Sequence, residues 1–136
     1  MLSIALALMF LPWSVSCSSA GPTSVQEAAG QIVLAPGESM RIREFDITIT
    51  FEGVVEDSRC PTGVDCIREG DAAVRIRIDA RAVPPATYIL HTSEAFDREI
   101  VHGEVRVRLV AVTPHPAVGS TRRPEDYRAT LSIRRK

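Results

Sequence analysis

The stretch Val74-Arg75-Ile76-Arg77-Ile78-Asp79-Ala80-Arg81-Ala82 alternates apolar or small residues with charged ones at a period of two. Successive side chains of a strand point to opposite faces, whereas a helix repeats near every 3.6 residues. One face of this segment is therefore expected to be buried and the other solvated, as in an antiparallel sheet. The pattern recurs on both sides. Ile47, Ile49 and Phe51 alternate with Asp46, Thr48, Thr50 and Glu52. Val105, Val107, Leu109 and Ala111 alternate with Glu104, Arg106 and Arg108. Tyr127, Ala129, Leu131 and Ile133 alternate with Arg128, Thr130, Ser132 and Arg134. Shorter strand candidates are Ile32–Leu34, Met40–Arg43 and Thr87–Thr92.

Turn chemistry separates these runs: Ala35-Pro36-Gly37, Glu69-Gly70-Asp71, Val83-Pro84-Pro85 and Thr113-Pro114-His115-Pro116. The expected fold is all-β, an antiparallel β-sandwich or small barrel of about seven strands with little helix. Ser93–His102 reads either as a short helical turn or as an irregular edge segment. Pro114–Asp126 reads as a long loop carrying three prolines and Gly119.

At its start the 136-residue chain is uncharged through residue 16. Ile4-Ala5-Leu6-Ala7-Leu8-Met9-Phe10-Leu11 has the length of a signal-peptide core and falls short of the roughly 20 apolar residues of a membrane span. No basic residue precedes Ile4, which places the expected translation start upstream of Met1. The expected organisation is a signal peptide over 1–16, a flexible tether over 17–30 and one β-sandwich-like domain over 31–136. Ser14-Val15-Ser16-Cys17 resembles the lipobox of bacterial lipoproteins, with Ser14 at the place usually held by Leu. That resemblance implies lipid attachment at Cys17 and a membrane as partner. The small, polar tract Ser18–Ser24 suits a tether, and Cys17 is the odd member of three cysteines. The alternative is cleavage after Ala20, where Ser18 and Ala20 form a small-x-small site, giving a soluble secreted or periplasmic protein.

Cys60 and Cys66 close a loop containing Pro61 and Gly63. In an exported chain they are expected to form a structural disulfide worth roughly 2 kcal/mol on the chain-entropy model. A redox-active pair normally has two intervening residues, and a structural zinc site wants four ligands. Arg59 can pair with Asp57, Asp65 or Asp71. The run Asp57-Ser58-Arg59-Cys60-Pro61, followed by Cys66 and Gly70, resembles a segment of small bacterial exported β-domain proteins, many of them lipoproteins. The later strand Val107–Pro116 is also similar to theirs. The resemblance implies exported location and lends no activity.

Other chemistry is sparse. His91, His102 and His115 lack metal-ligand spacing. Asp57, Asp65, Glu69 and Asp71 form an acidic cluster that could hold Ca²⁺ through oxygen ligands, without a known loop motif. No catalytic residue, cofactor-binding residue or cofactor is assigned. The net charge of −1 gives no reason to expect nucleic acid as partner. Charge is unevenly laid out, however. Segments 72–83, 103–113 and 127–136 hold nine basic residues against Asp79 and Glu104. If those strands are neighbours, Arg75, Arg77, Arg106, Arg108 and Arg128 form an anion-binding face for an acidic protein or an anionic envelope polymer. The expected function is a non-enzymatic cell-envelope domain, lipid-anchored or secreted, that binds or supports a partner. The alternative is an enzyme inhibitor or enzyme using the 114–126 loop.

Overall fold

The computed structural model describes residues 30–136. The signal peptide, Cys17 and all of the tether except Gly30 lie outside the described residues. Eight strands form two four-stranded antiparallel sheets that pack as a sandwich and do not close into a barrel. In chain order the strands are β1 (Gln31–Leu34), β2 (Ser39–Ile42), β3 (Ile47–Asp57), β4 (Ala72–Ala80), β5 (Val83–His91), β6 (Glu99–His102), β7 (Val105–Thr113) and β8 (Arg128–Arg135). One sheet has the order β1-β8-β7-β6 and the other β2-β3-β4-β5. The all-β sandwich read from the alternation is the observed fold.

The inward residues of both sheets meet in one core. Leu34, Ile49, Phe51, Ile76, Ile78, Leu90, Leu109 and Leu131 have no solvent exposure. Burial of a Leu, Ile or Phe side chain stabilises by about 1.5–3 kcal/mol, so the strand phase is fixed by which residues face this layer.

Three local readings are corrected, and the open reading of Ser93–His102 is resolved to its edge alternative. Val83-Pro84-Pro85 is not a turn but the start of β5, and the turn lies at Arg81-Ala82. Proline donates no ladder hydrogen bond and is tolerated there because β5 pairs only with β4, at a sheet edge. The β4 strand consequently stops at Ala80, short of Ala82. In β7 a register shift between Leu109 and Ala111 swaps the phase, so Val112 rather than Ala111 is buried beside Leu109. Such a bulge adds one residue to one strand and reverses the alternation beyond it. Within Ser93–His102, the last four residues form edge strand β6 against β7.

The strand directions give the sandwich two ends. The connections after β1, β3, β5 and β7 gather at one end, which carries the Cys60–Cys66 loop. The described chain enters and leaves at the other: Gly30 accepts a hydrogen bond from Ile133 N (2.6 Å), beside the end of β8. These are the distal and proximal ends below.

Candidate functional site

At the distal end, β3 finishes on Asp57 and the chain turns so that Arg59 folds back onto it. Arg59 Nε and one terminal nitrogen each donate to Asp57 at 2.8 Å, a two-point ion pair with both side chains nearly inaccessible to solvent. The remaining guanidinium donors cross to the other sheet, binding the carbonyls of Val112 and Pro114 on either side of the cis Thr113–Pro114 bond. The Tyr127 hydroxyl, just ahead of β8, donates to Asp57 Oδ2 at 3.0 Å. Arg122 Nε donates to that hydroxyl at 3.2 Å. Burial alone would raise the Asp57 carboxyl. The hydrogen bonds from Arg59 and Tyr127 and the Arg59 charge outweigh it and hold Asp57 below the usual carboxylate range. Among the three acids open to Arg59, Asp57 is the partner. This Asp-x-Arg unit is a cross-sheet fastener. Its carboxylate is saturated with donors and poorly suited to take a proton from a substrate.

Two further ties fix the loop that follows. The disulfide Cys60–Cys66 is formed, with Cα atoms 5.9 Å apart. Thr62 N donates to Pro116 O (2.9 Å), Val118 N to Thr62 O (3.4 Å), and His115 Nε2 lies 2.9 Å from the Cys60 carbonyl. The cysteine loop and the 114–126 loop are thereby stitched side by side. Where the loop returns to β4, Gly70 adopts φ +72°, and a Cβ there would collide with the Ser58 carbonyl. Only glycine fits this backbone.

Asp71 anchors a neighbouring connection. Its Oδ1 accepts from the Thr92 amide (2.9 Å), the Thr92 hydroxyl (3.1 Å) and the Ser93 amide (2.8 Å). Its Oδ2 accepts from His91 Nδ1 at 2.6 Å. Burial raises this carboxyl, but His91, Ser93 and Thr92 together lower it below its ordinary value. His91 also stacks against Phe96, with ring centroids 4.8 Å apart. Among the described residues no hydrogen bond joins a hydroxyl or thiol to the other nitrogen of His91.

The acidic cluster does not converge: Asp57 and Asp71 are consumed by these separate networks, while Asp65 and Glu69 are exposed on the loop. Among the described residues no group of three His, Cys, Asp or Glu side chains is placed to hold a metal ion. The three histidines occupy three places: His91 on Asp71, His115 in the distal loops, and His102 buried between the sheets.

The five arginines proposed for one face are divided. Arg75 and Arg77 lie on β4, whereas Arg106, Arg108 and Arg128 lie on β7 and β8 of the other sheet. The sequence pattern gave strand phase but not sheet membership. Arg77 is answered by Asp79 at 2.9 Å. On the other sheet β7 and β8 are neighbours, with Arg106 opposite Arg134, and Glu99 binds both at 2.7 and 3.0 Å. Among the described residues Arg108 and Arg128 form no ion pair. Arg75 on β4 likewise forms no ion pair among the described residues, so an unpaired arginine remains on each sheet.

Apolar side chains stand out at the distal tip. Ile67 is fully exposed, and Val64 and Val118 are about half exposed or more. Gly63 places a would-be Cβ 3.9 Å from Val118, so the turn before Val64 lies beside Val118 across the two stitched loops, while Ile67 follows Cys66 on the same connection. Sequence reading missed this surface, because neither the loop pairing nor the Tyr127–Asp57 bond, spanning 70 positions, leaves a local signal. No family model, curated protein or solved structure matches the chain.

Proposed function

We propose that this chain is a non-enzymatic, exported cell-envelope domain, anchored through a lipid on Cys17, that presents its distal loops to a protein partner. The observation that carries the reading is the distal tip. A long loop is ordinarily mobile, yet here the disulfide, the Asp57–Arg59–Tyr127 fastener and the Thr62–Pro116 pairing hold exposed Val64, Ile67 and Val118 in place. Rigid exposed apolar side chains lower the ordering cost of binding. A disulfide suits an oxidising compartment. Chain entry at the opposite end leaves the tip directed away from an anchor attached through the preceding residues.

The test is photocrosslinking from position 118 in intact envelopes, with Ile67→Asp and Val64→Asp as paired variants. A single stoichiometric adduct that disappears in both variants supports the reading. An adduct unchanged by both, or none, refutes tip docking. Palmitate labelling that survives Cys17→Ala would refute the anchor.

A second reading has its own support in Arg108 and Arg128, which form no ion pair among the described residues and lie on the β1-β8-β7-β6 sheet. There an acidic protein or anionic envelope polymer would bind, weakening as salt rises. Binding of polyglutamate that resists both salt and Arg108→Glu would refute it.

A further inference from the structure

The two outer faces of the sandwich differ in charge. By strand phase the outward residues of β2, β3, β4 and β5 include three arginines, Arg41, Arg75 and Arg77, and three acids, Glu52, Glu56 and Asp79. The outward residues of β1, β8, β7 and β6 include four arginines, Arg106, Arg108, Arg128 and Arg134, against one acid, Glu99. Glu99 is shared by Arg106 and Arg134, so it cancels half of their charge. Arg108 is exposed, stands in register with Glu99 on one side and Ser132 on the other, and forms no ion pair among the described residues. Arg128 donates to the uncharged carbonyls of Glu125 and Tyr127. Val33, Val101 and Val110 stand on the same face, 43 %, 41 % and 37 % exposed.

A surplus of like charge on one face repels itself and is relieved by an anion. We propose that the β1-β8-β7-β6 face docks on an anionic lipid surface. The layout of the face selects that partner. Neighbouring strands lie about 4.8 Å apart, and each residue along a strand advances about 3.4 Å. Arg128 and Arg134, near the two ends of β8, are therefore about 20 Å apart. Val33 and Val101 lie on the two border strands, β1 and β6. An extended polyanion follows one line and meets few of these groups, whereas a plane of headgroups meets them all at once. The valines interleave with the basic side chains, with Val101 in register with Arg106 and Arg106 with Arg134. Apolar side chains among basic ones suit the boundary between headgroups and acyl chains. The proposal rests on the anion-binding reading of this face and narrows the anion to a lipid surface. It depends neither on lipid attachment at Cys17 nor on tip docking. Docked this way, the domain lies lengthwise on the membrane and presents the distal tip along it.

The test is co-sedimentation with vesicles of phosphatidylcholine, alone or with about 30 % phosphatidylglycerol. The Cys17→Ser chain is used, so that no acyl group contributes. At about 0.1 M salt, charges more than about 10 Å apart are largely screened, so the two faces are read separately. The anionic vesicles should bind about a hundredfold more tightly than the neutral ones, from about fivefold for each surplus charge. Arg108→Glu changes the charge of the face by two and should weaken that binding about 25-fold. Arg75→Glu, the same change on the opposite sheet, should leave it within about twofold. Equal binding to the two vesicle types, or an equal loss in the two variants, overturns the proposal. Polyglutamate bound through Arg108, with no binding to anionic vesicles, also overturns it but leaves the anion-binding reading standing. Binding to neither overturns both.

Discussion

Replacing Arg59 with methionine keeps much of the side-chain volume and removes the guanidinium donors that join Asp57 to the carbonyls of Val112 and Pro114. Asp57 and Arg59 are 5 % and 8 % exposed, so the abandoned carboxylate gains little from water. Removing one partner of a buried pair costs about 3–5 kcal/mol. The Val112 and Pro114 carbonyls lose their donor as well, while Tyr127 and the more distant Arg122 continue to favour the charge. A loss of about 4 kcal/mol is expected, or a fall in Tm of roughly 15–30 °C for a domain of this size. The sole tryptophan, Trp13, lies outside the described residues, so urea unfolding is followed by far-UV circular dichroism. The double variant Asp57→Leu with Arg59→Met removes the stranded charge and should recover at least about 2 kcal/mol of the loss. pH supplies an independent check. Asp57 is lowered in the fold, so its contribution is present above the ordinary carboxylate range near pH 4 and is lost as pH falls through the lowered value. In Arg59→Met burial is no longer outweighed by the guanidinium, so protonating Asp57 relieves the stranded charge and the stability gap to wild type should narrow as pH falls. A cost below about 1 kcal/mol, or a double variant no more stable than the single, would refute the fastener.

Three other outcomes follow from the same end of the molecule. Gly70→Ala should cost more than about 2 kcal/mol by denaturation, since it combines a left-handed backbone with a collision against Ser58; a near-neutral result would mean the 58–71 loop has another path. The paired change Cys60→Ser and Cys66→Ser should cost about 2 kcal/mol and speed proteolysis between 60 and 66, whereas full alkylation of native wild-type protein would show the bond absent. Asp71→Asn should cost about 1–2 kcal/mol and raise amide exchange over 92–98. Because Asp71 is lowered in the fold, that difference should be largest above pH 4 and shrink as acid protonates the wild-type carboxyl; a pH-independent difference would argue against it.

Much of the fold was legible because strands such as β4 and β8 separate their faces cleanly: Ile76 and Ile78 inward with Arg75 and Arg77 outward, Leu131 and Ile133 inward with Thr130 and Ser132 less buried. What was not legible depends on neighbours in space. Pro84 and Pro85 forbid an interior strand but not an edge, and period-two alternation does not say which a strand will be. Val110 has nothing local to mark it as the extra residue of a bulge. The disulfide was readable from spacing, turn residues and the expectation of export. The choice of Asp57 over Asp65 or Asp71 for Arg59 was not, because Tyr127 and the β7 carbonyls that favour Asp57 are remote in sequence. His102 looks like any isolated histidine until Tyr88 and the gap between the sheets surround it.

The four sheet borders carry one more consequence. Among the described residues β1, β2 and β6 are four residues long, and β5, the one long border, carries Pro84 and Pro85 directly after its first residue, Val83. Short or proline-bearing borders offer an incoming chain little backbone to pair with. Strand exchange between copies and growth into fibrils are both discouraged while the domain stays folded. Recognition by an added strand is equally discouraged, which leaves contacts made by side chains as the route to any specific complex. A concentrated solution of the intact domain should therefore stay free of thioflavin-positive aggregate, and that resistance should fall first in variants that replace both prolines of β5.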